Sequence, residues 1–457
     1  MSDIMFSENF ISLTDYAVKA FESSSFDSYE ISCVDRLHAL TRFANSTIHQ
    51  NVSDHTSRFL FKASKGKKIC TLSLTSLTKT AIDSAVSKLE SMLSFIPEIP
   101  FFQGFSEDTE GVIPSINATG SLLDEYQRAD IVETAIGEAE AVDKSAKLAG
   151  AISITDLRYR ILNSNGIDIS HQITYNGLII NSLTEKENKG YAKEEQFERD
   201  PSLLKPAELS RKATELSVST CSAKDYSLGE YEVILSPAAT STLMRFLSFG
   251  FNGLGYHESQ SFVTDQIGSQ MFDTKLTLHD DPLNSETLLA SPIDGEGVRK
   301  KPLFLVEEGI PKSIVYNNFI ASRYLNDKRL STGHQVIPFS DYIFGMVMPI
   351  NLTLYPGDSA IPEMIEETKQ GFFINRLHYT NFVNRKLGAI TGLTRDGIMY
   401  VENGEIVSAA KNFRFTDKLT SCLKNIPLIG SKVETGVTMS CPAIKLKSFN
   451  FTGKSRH

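Results

Sequence analysis

A histidine beside a glutamate opens many zinc-protease motifs, and this chain has such a pair, His257-Glu258, in the stretch G-Y-H-E-S-Q-S-F. An H-E-x-x-H helix works because the i, i+4 spacing puts two imidazoles on one face, where the glutamate can handle a zinc-bound water. Here the +4 residue is Ser261 and the +5 residue is Phe262, so the second imidazole is missing. Gly253 and Gly255 come just before, which favours a loop over a helix interior. His38, His49, His55, His171, His279, His334, His378 and His457 form no HxH or HxxxH pair. His279-Asp280-Asp281 is rich in oxygen ligands but reads as a solvated turn, since aspartates at turns cap backbone N–H groups. No G-x-S-x-G elbow is present. Gly453-Lys454-Ser455 ends like a phosphate-binding loop, but Ser448 stands where its first glycine belongs and no helix follows. Cys33, Cys70, Cys221, Cys422 and Cys441 make no CxxC, so neither a disulfide framework nor a cysteine-rich zinc site is expected.

The elements that would position any site alternate between helix and short strands. Residues 12–25 read as a helix opened by Ser12 or Thr14. YEISCVD, HALTRFANSTIHQNV, SRFLFKASKG and KKICTLSLTS read as strands, with a turn at Lys65-Gly66-Lys67. A helix over 78–96 follows, then a proline-rich connector over 96–115 and a second helix over 122–147. Strands return over 150–185, with Asn165-Gly166 as a hairpin turn. A helix over 205–220 leads to a boundary near 220, which gives domains 1–220 and 221–457. Asn45-Ser46 and Asn163-Ser164 end comparable strands and hint at a weak internal duplication of the first domain. The second domain is strand-rich, and the fold class is α+β.

Composition narrows the function. With 457 residues, 41% hydrophobic and 22% charged, the chain is an ordinary globular protein. A net charge of −9 argues against gripping nucleic acid. No apolar run spans a bilayer, and the acidic start lacks a signal-peptide pattern, so no membrane role and a cytoplasmic location are expected.

Several stretches resemble the TldD/PmbA proteins, also called TldD/TldE. TRFANSTIHQNVSDHTSRF (41–59) carries Arg42, Asn45 and His49 of their N-terminal signature. SFVTDQIGSQMFDTKLTLHDDP (261–282) carries Ser261, Asp280 and Asp281. SPIDGEGVRKKPLFLVEEG, STGH and the T-G-L-T-R-D-G run with Arg395 and Asp396 follow in the expected order. The resemblance implies a two-domain α+β fold and a cytosolic, metal-dependent proteolytic system. In it, TldD-type members carry H-E-x-x-x-H on a helix plus a C-terminal cysteine ligand. PmbA/TldE-type members lack both and pair with the TldD-type subunit. Counting back from Gly268 places the motif on residues 236–256, with Met244, Arg245 and Phe249 where the ligands and base would stand. Those side chains can neither ligate zinc nor act as a base, and Cys441 lies directly beside Pro442.

The resemblance therefore implies a PmbA/TldE-like subunit with no catalytic residue or zinc of its own. It would hold extended peptides or unfolded proteins beside a zinc-bearing TldD-like partner, with a homodimer as another assembly. Arg42, Asn45, His49, Ser261, Asp280, Asp281, Arg395 and Asp396 are its candidate peptide-binding or structural positions. Two other readings stand beside it. One is an active peptidase with a metal site relocated to His257, Glu258 and His279 or His334. The other is a protein-binding modulator, for example of DNA gyrase, without peptidase activity.

Overall fold

The computed structural model describes residues 6–107, 116, 118–337 and 346–455. Its first half repeats one order of elements. Helix α1 (Glu8–Glu22) precedes strands β1 (Ser28–Ala44), β2 (Thr47–Lys65) and β3 (Lys68–Leu74) and helix α2 (Lys79–Phe95). Helix α3 (Glu125–Val142) then precedes β4 (Lys147–Asn163), β5 (Asp168–Glu185), β6 (Lys189–Glu198) and α4 (Pro206–Thr220). The two meanders meet at β1 and β4 in one six-stranded antiparallel sheet of order β3-β2-β1-β4-β5-β6.

Alternation of side chains across the strands decides what covers each face. Tyr29, Ile31 and Cys33 of β1 and Phe59 and Phe61 of β2 bury against α1 and α2. Ile152, Ile154, Leu178 and Ile180 bury against α3 and α4. Leu157, Tyr159, Ile161 and Ile173 point to the other face and pack on Leu289, Ile293 and Ile337 of the second half. Each such apolar side chain contributes roughly 1.5–3 kcal/mol when fully buried.

Several boundaries differ from the sequence reading. YEISCVD and HALTRFA are one 17-residue strand, and the turn lies within the next run, at Asn45-Ser46. Both turn residues have positive φ, 49° and 57°, the left-handed pair that a tight hairpin requires. Helix α1 starts at Glu8, capped by Ser7, and Thr14 lies inside it, buried and donating to the Phe10 carbonyl. Helix α3 starts at Glu125 behind a capping box of Asp124 and Gln127, and ends before Lys147, which already belongs to β4.

The second half is built around a barrel. Strands β7 (Gly229–Leu235), β12 (Gln370–Asn384), β13 (Ala389–Glu402), β15 (Phe413–Lys418) and β17 (Met439–Lys454) pair in that order, and β17 pairs back onto β7. Phe372, Phe413, Phe415, Phe449 and Phe451 fill the core with it. β14 (Glu405–Ala410) extends β13, and β16 (Leu428–Thr435) extends β17. A side arm of β11 (Leu352–Leu354), β8 (Leu278–Asp280), β9 (Leu303–Glu307) and β10 (Ile310–Pro311) continues from β17. Helix α5 (Pro237–Ser248) lies on the barrel wall, followed by the short helices α6 (Gly253–His257), α7 (Asn318–Tyr324), α8 (Ile361–Glu366) and α9 (Leu419–Cys422).

Candidate functional site: a charged cleft between sheet and barrel

Where the edge of the sheet meets the barrel, a cleft of about 1120 Å³ opens. Glu194–Glu198 of β6 and Lys205, Glu208 and Lys212 of the α4 region form one side. Ser241, Thr242, Arg245 and Phe246 of α5, Arg376–Thr380 of β12, Lys432–Thr435 of β16 and the loop residues Ser285, Glu286 and Leu288 are among the others that line it. Helix α5 forms because Ser236 accepts from the Ala239 amide and Pro237 occupies its first turn. Leu243, Met244 and Leu247 then drive one face into the core, which leaves Ser241, Thr242 and Arg245 toward the cleft.

Strand β6 ends the sheet, so its outer edge has no strand partner among the described residues. Two kinks shape the barrel side. The β12–β13 register shifts between Ile374 and Arg376 and again between His378 and Asn381. Beside these bulges Asp396 and Tyr379 hold φ of 60° and 52°. For a tyrosine this costs of order 1–3 kcal/mol, and such strain concentrates at functional sites.

Most charges here are matched. Lys212 lies 3.0 Å from Glu194, Arg376 2.9 Å from Glu195, and Lys205 3.4 Å from Glu208. Burial would raise the Glu195 carboxyl, but Arg376 and Lys193 outweigh it and hold it below its ordinary value. Burial, aided by Arg395, pushes His378 below its ordinary value, so it is neutral near pH 7.

The residues singled out from the sequence fall in three places. Arg42, Asn45 and His49 sit exposed on the β1–β2 hairpin, outside the cleft. Arg395 and Asp396 lie beside the cleft, not at a turn but within β13, where Asp396 makes the bulge 3.8 Å from Arg376. Of the others, Ser261 and Asp280 are buried and Asp281 is half-buried. Ser261 donates to the Gly250 carbonyl at 2.5 Å and accepts from the Val263 amide, while Asp281 accepts from the Leu283 amide.

Asp280 corrects the solvated-turn reading of His279-Asp280-Asp281. It ends β8 with no exposed surface, accepts from the Asn351 amide at 2.8 Å, and lies 3.2 Å from His334 Nε2. Burial would raise its carboxyl, but the His334 hydrogen bond and the nearby Lys300 hold it below its ordinary value. Asp294, Glu296, Lys300 and Asn351 complete a buried polar layer, and in the sheet Lys62 lies 2.6 Å from Glu30, close enough to Glu296 to act on its charge. Burial pushes Glu296 up to about 8, although Lys62 opposes it.

The relocated metal set does not assemble. His257 ends helix α6, against the loop expectation, where it stacks on Tyr324 at 4.7 Å and meets the Tyr316 hydroxyl at 3.1 Å. Glu258 accepts from the Tyr324 hydroxyl, and His279 stacks on Phe304. Among the described residues no three His, Cys, Asp or Glu side chains stand together as a metal site.

Of the three positions matched to the metal motif, only Arg245 faces the cleft. Met244 is fully buried, and Phe249 packs on Phe246 and Phe382. The i, i+1, i+5 set that α5 presents to the cleft is Ser241, Thr242 and Phe246. Neither set fits zinc, because hydroxyl, apolar and guanidinium groups are not its ligands. Cys441, set aside from its place beside Pro442, lines the cleft and donates from Sγ to the Pro237 carbonyl at 3.1 Å. Burial raises this thiol well above its ordinary value, so it stays protonated. Glu194, Glu195, Lys212 and Arg376 escaped the sequence reading. Their one signal was the charged run Lys193-Glu194-Glu195 inside a strand.

A sheet with two helix pairs, a barrel at its side and a polar cleft between them make up an α+β fold. Residues 121–220 match the PmbA/TldA metallopeptidase central domain and residues 228–453 its C-terminal domain, and the chain belongs to the PmbA/TldD family. It is 24% identical to Escherichia coli metalloprotease PmbA over 52% of this chain and 49% of that one. The match spans about half the length of each curated relative. The fold is shared with TldE from Thermococcus kodakarensis, at TM-score 0.87 and 18% identity, covering 97% of this chain and all of that one. It is shared equally with a candidate modulator of a DNA gyrase from Thermotoga maritima, at TM-score 0.84, 20% identity and 97% coverage of this chain against 100% of that one. No helix among the described residues is long and apolar enough to cross a membrane.

Proposed function

We propose that this chain is a PmbA/TldE-like, non-catalytic subunit of a cytosolic TldD/TldE-type proteolytic system, and that its cleft holds peptides or unfolded proteins in extended form. The observation that carries this reading is the cleft face of α5. It offers Ser241, Thr242, Arg245 and Phe246 where a zinc site would need imidazoles and a carboxylate. The free edge of β6 along the same cleft supports the holding role, because an extended chain can add to a sheet edge through main-chain hydrogen bonds alone. Arg376, Asp396 and Arg395 stand where they would steer that chain's polar groups. Zinc and the hydrolytic step would come from a TldD-like partner.

Native mass analysis with metal quantitation tests this. The expected result is less than stoichiometric zinc in the purified chain, no proteolysis alone, and a heterodimer with a TldD-like protein that degrades unfolded substrates. Stoichiometric zinc together with hydrolysis lost on chelation would overturn it.

A further inference from the structure

Charge pairing within the cleft is uneven. Lys205, Lys212, Arg376 and Lys432 each stand within 4.0 Å of a carboxylate. The Arg199 guanidinium is taken up by the carbonyls of Ser285 and Thr287. Arg245 alone among the cleft's lysines and arginines has no hydrogen-bond or ion-pair partner for its guanidinium among the described residues. Its aliphatic stem rises from a helix whose other face is locked into the core, so its Cα is fixed while its head group reaches into the open space. One turn back on the same face is Ser241, half-buried, whose hydroxyl is likewise unengaged. An i, i+4 pair presents both groups side by side. A planar five-donor fork beside a hydroxyl donor suits a carboxylate, which accepts two parallel N–H bonds and has lone pairs left for a third donor. Among the cleft's carboxylates Glu194, Glu195, Glu208 and Glu434 are each ion-paired, while Glu286 is exposed and has no ion pair among the described residues, so the case for an anionic group rests on Arg245 standing beside Ser241.

From this placement we infer that Arg245 and Ser241 form a subsite for a carboxylate carried by the bound peptide. This rests on the peptide-holding reading and adds a preference to it. The carboxylate has two sources in a peptide, an acidic side chain or the C-terminus, and the same donors serve both. Arg245 is here a specificity-determining residue.

The test is fluorescence anisotropy of labelled eight-residue extended peptides with the full chain. One series carries a single Glu at successive positions and an amidated C-terminus. A second replaces that Glu by Gln, and a third keeps Gln but has a free C-terminus. The expected result is roughly five- to ten-fold tighter binding of one carboxylate-bearing series than of the neutral one, declining with salt. Arg245→Gln should bring the three series to equal affinity, and Arg245→Glu should transfer the preference to Lys-bearing peptides. Whichever series gains identifies the source of the carboxylate. Equal affinity for all three series, unchanged in Arg245→Gln, overturns the subsite and leaves the peptide-holding cleft standing. Failure of every peptide to bind overturns the peptide-holding reading, and the subsite falls with it.

Discussion

The buried polar layer and the open cleft are both crowded with charge, yet they differ in how completely that charge is satisfied. In the layer Asp280 meets His334 and the Asn351 amide, Lys300 meets Asn351, Lys62 meets Glu30, and Glu296 accepts from the Asn318 amide. In the cleft the ion pairs are half-exposed, two barrel residues sit at positive φ, and one arginine is left over. A satisfied interior network fixes the relative placement of elements, here sheet against barrel loops. A partly satisfied, solvent-open surface is what a ligand can complete. The sequence stretches that resemble the family's signatures therefore divide by environment: Asp280, Asp294, Glu296 and His334 build the interior, and Asp396 borders the cleft.

The largest effect that tests this contrast is on the layer. Asp280→Ala removes both of its hydrogen bonds and leaves His334, the Asn351 amide and the nearby Lys300 without their carboxylate. Each buried donor left unpaired costs about 1–3 kcal/mol, so the loss should be about 2–6 kcal/mol. Denaturant unfolding of the wild type and the variant measures it. A loss below about 1 kcal/mol would mean that the layer is as loosely coupled as a surface pair and that the contrast is false.

A pH experiment follows, with a somewhat smaller effect. Burial raises the folded-state Glu296 carboxyl to about 8, against an ordinary value of 4.5. Between these values the folded protein keeps a proton that the unfolded chain has lost, so stability falls as pH rises. The contribution is complete below about 4.5 and is lost as pH rises through about 8. Glu296→Gln imitates the protonated form at every pH. Wild type and variant should melt alike near pH 5, and the variant should be more stable by pH 9, by an amount on the order of a few kcal/mol. Parallel melting curves across that range would show that Glu296 ionises freely and is not held in a dry layer.

Local signals were the legible ones. Asn165-Gly166 marked its hairpin, with Gly166 at φ 92°, and the apolar stripe of α2 marked its helix. Asn45-Ser46 was read as a strand end yet kept inside one strand run, because both residues are small polar ones in an alternating pattern, with no glycine to announce the left-handed backbone. The cleft was not legible because its walls come from five stretches far apart in the chain, around 194–212, 237–246, 285–288, 376–380 and 432–441. What joins them is a barrel closure, β17 onto β7, and the register shifts in β12–β13. Neither follows from residue types alone. Asp280 was misjudged for a related reason: its partner His334 lies 54 residues away, and only the pairing of β8 with β11 brings Asn351 beside it.

The smallest predicted effect concerns the pair with the most suggestive spelling, His257-Glu258. His257 is half-buried, held by a parallel stack on Tyr324 and a hydrogen bond to the Tyr316 hydroxyl, and burial lowers its pKa so that it is neutral near pH 7. Glu258 is exposed and turned to Tyr324 and Arg323, not toward another imidazole. His257→Ala should therefore remove one ring contact and one hydrogen bond at the surface, costing about 0.5–1.5 kcal/mol. It should leave peptide binding in the cleft and any proteolysis by the assembled complex unchanged. The decisive measurement is a hydrolysis assay of that complex alongside a melting curve of the variant. A folded variant whose complex has lost hydrolysis would place the chemistry on α6 and make the α5 cleft an accessory surface. Unchanged hydrolysis leaves His257 as what its contacts describe: a ring packed between two tyrosines at the end of a five-residue helix.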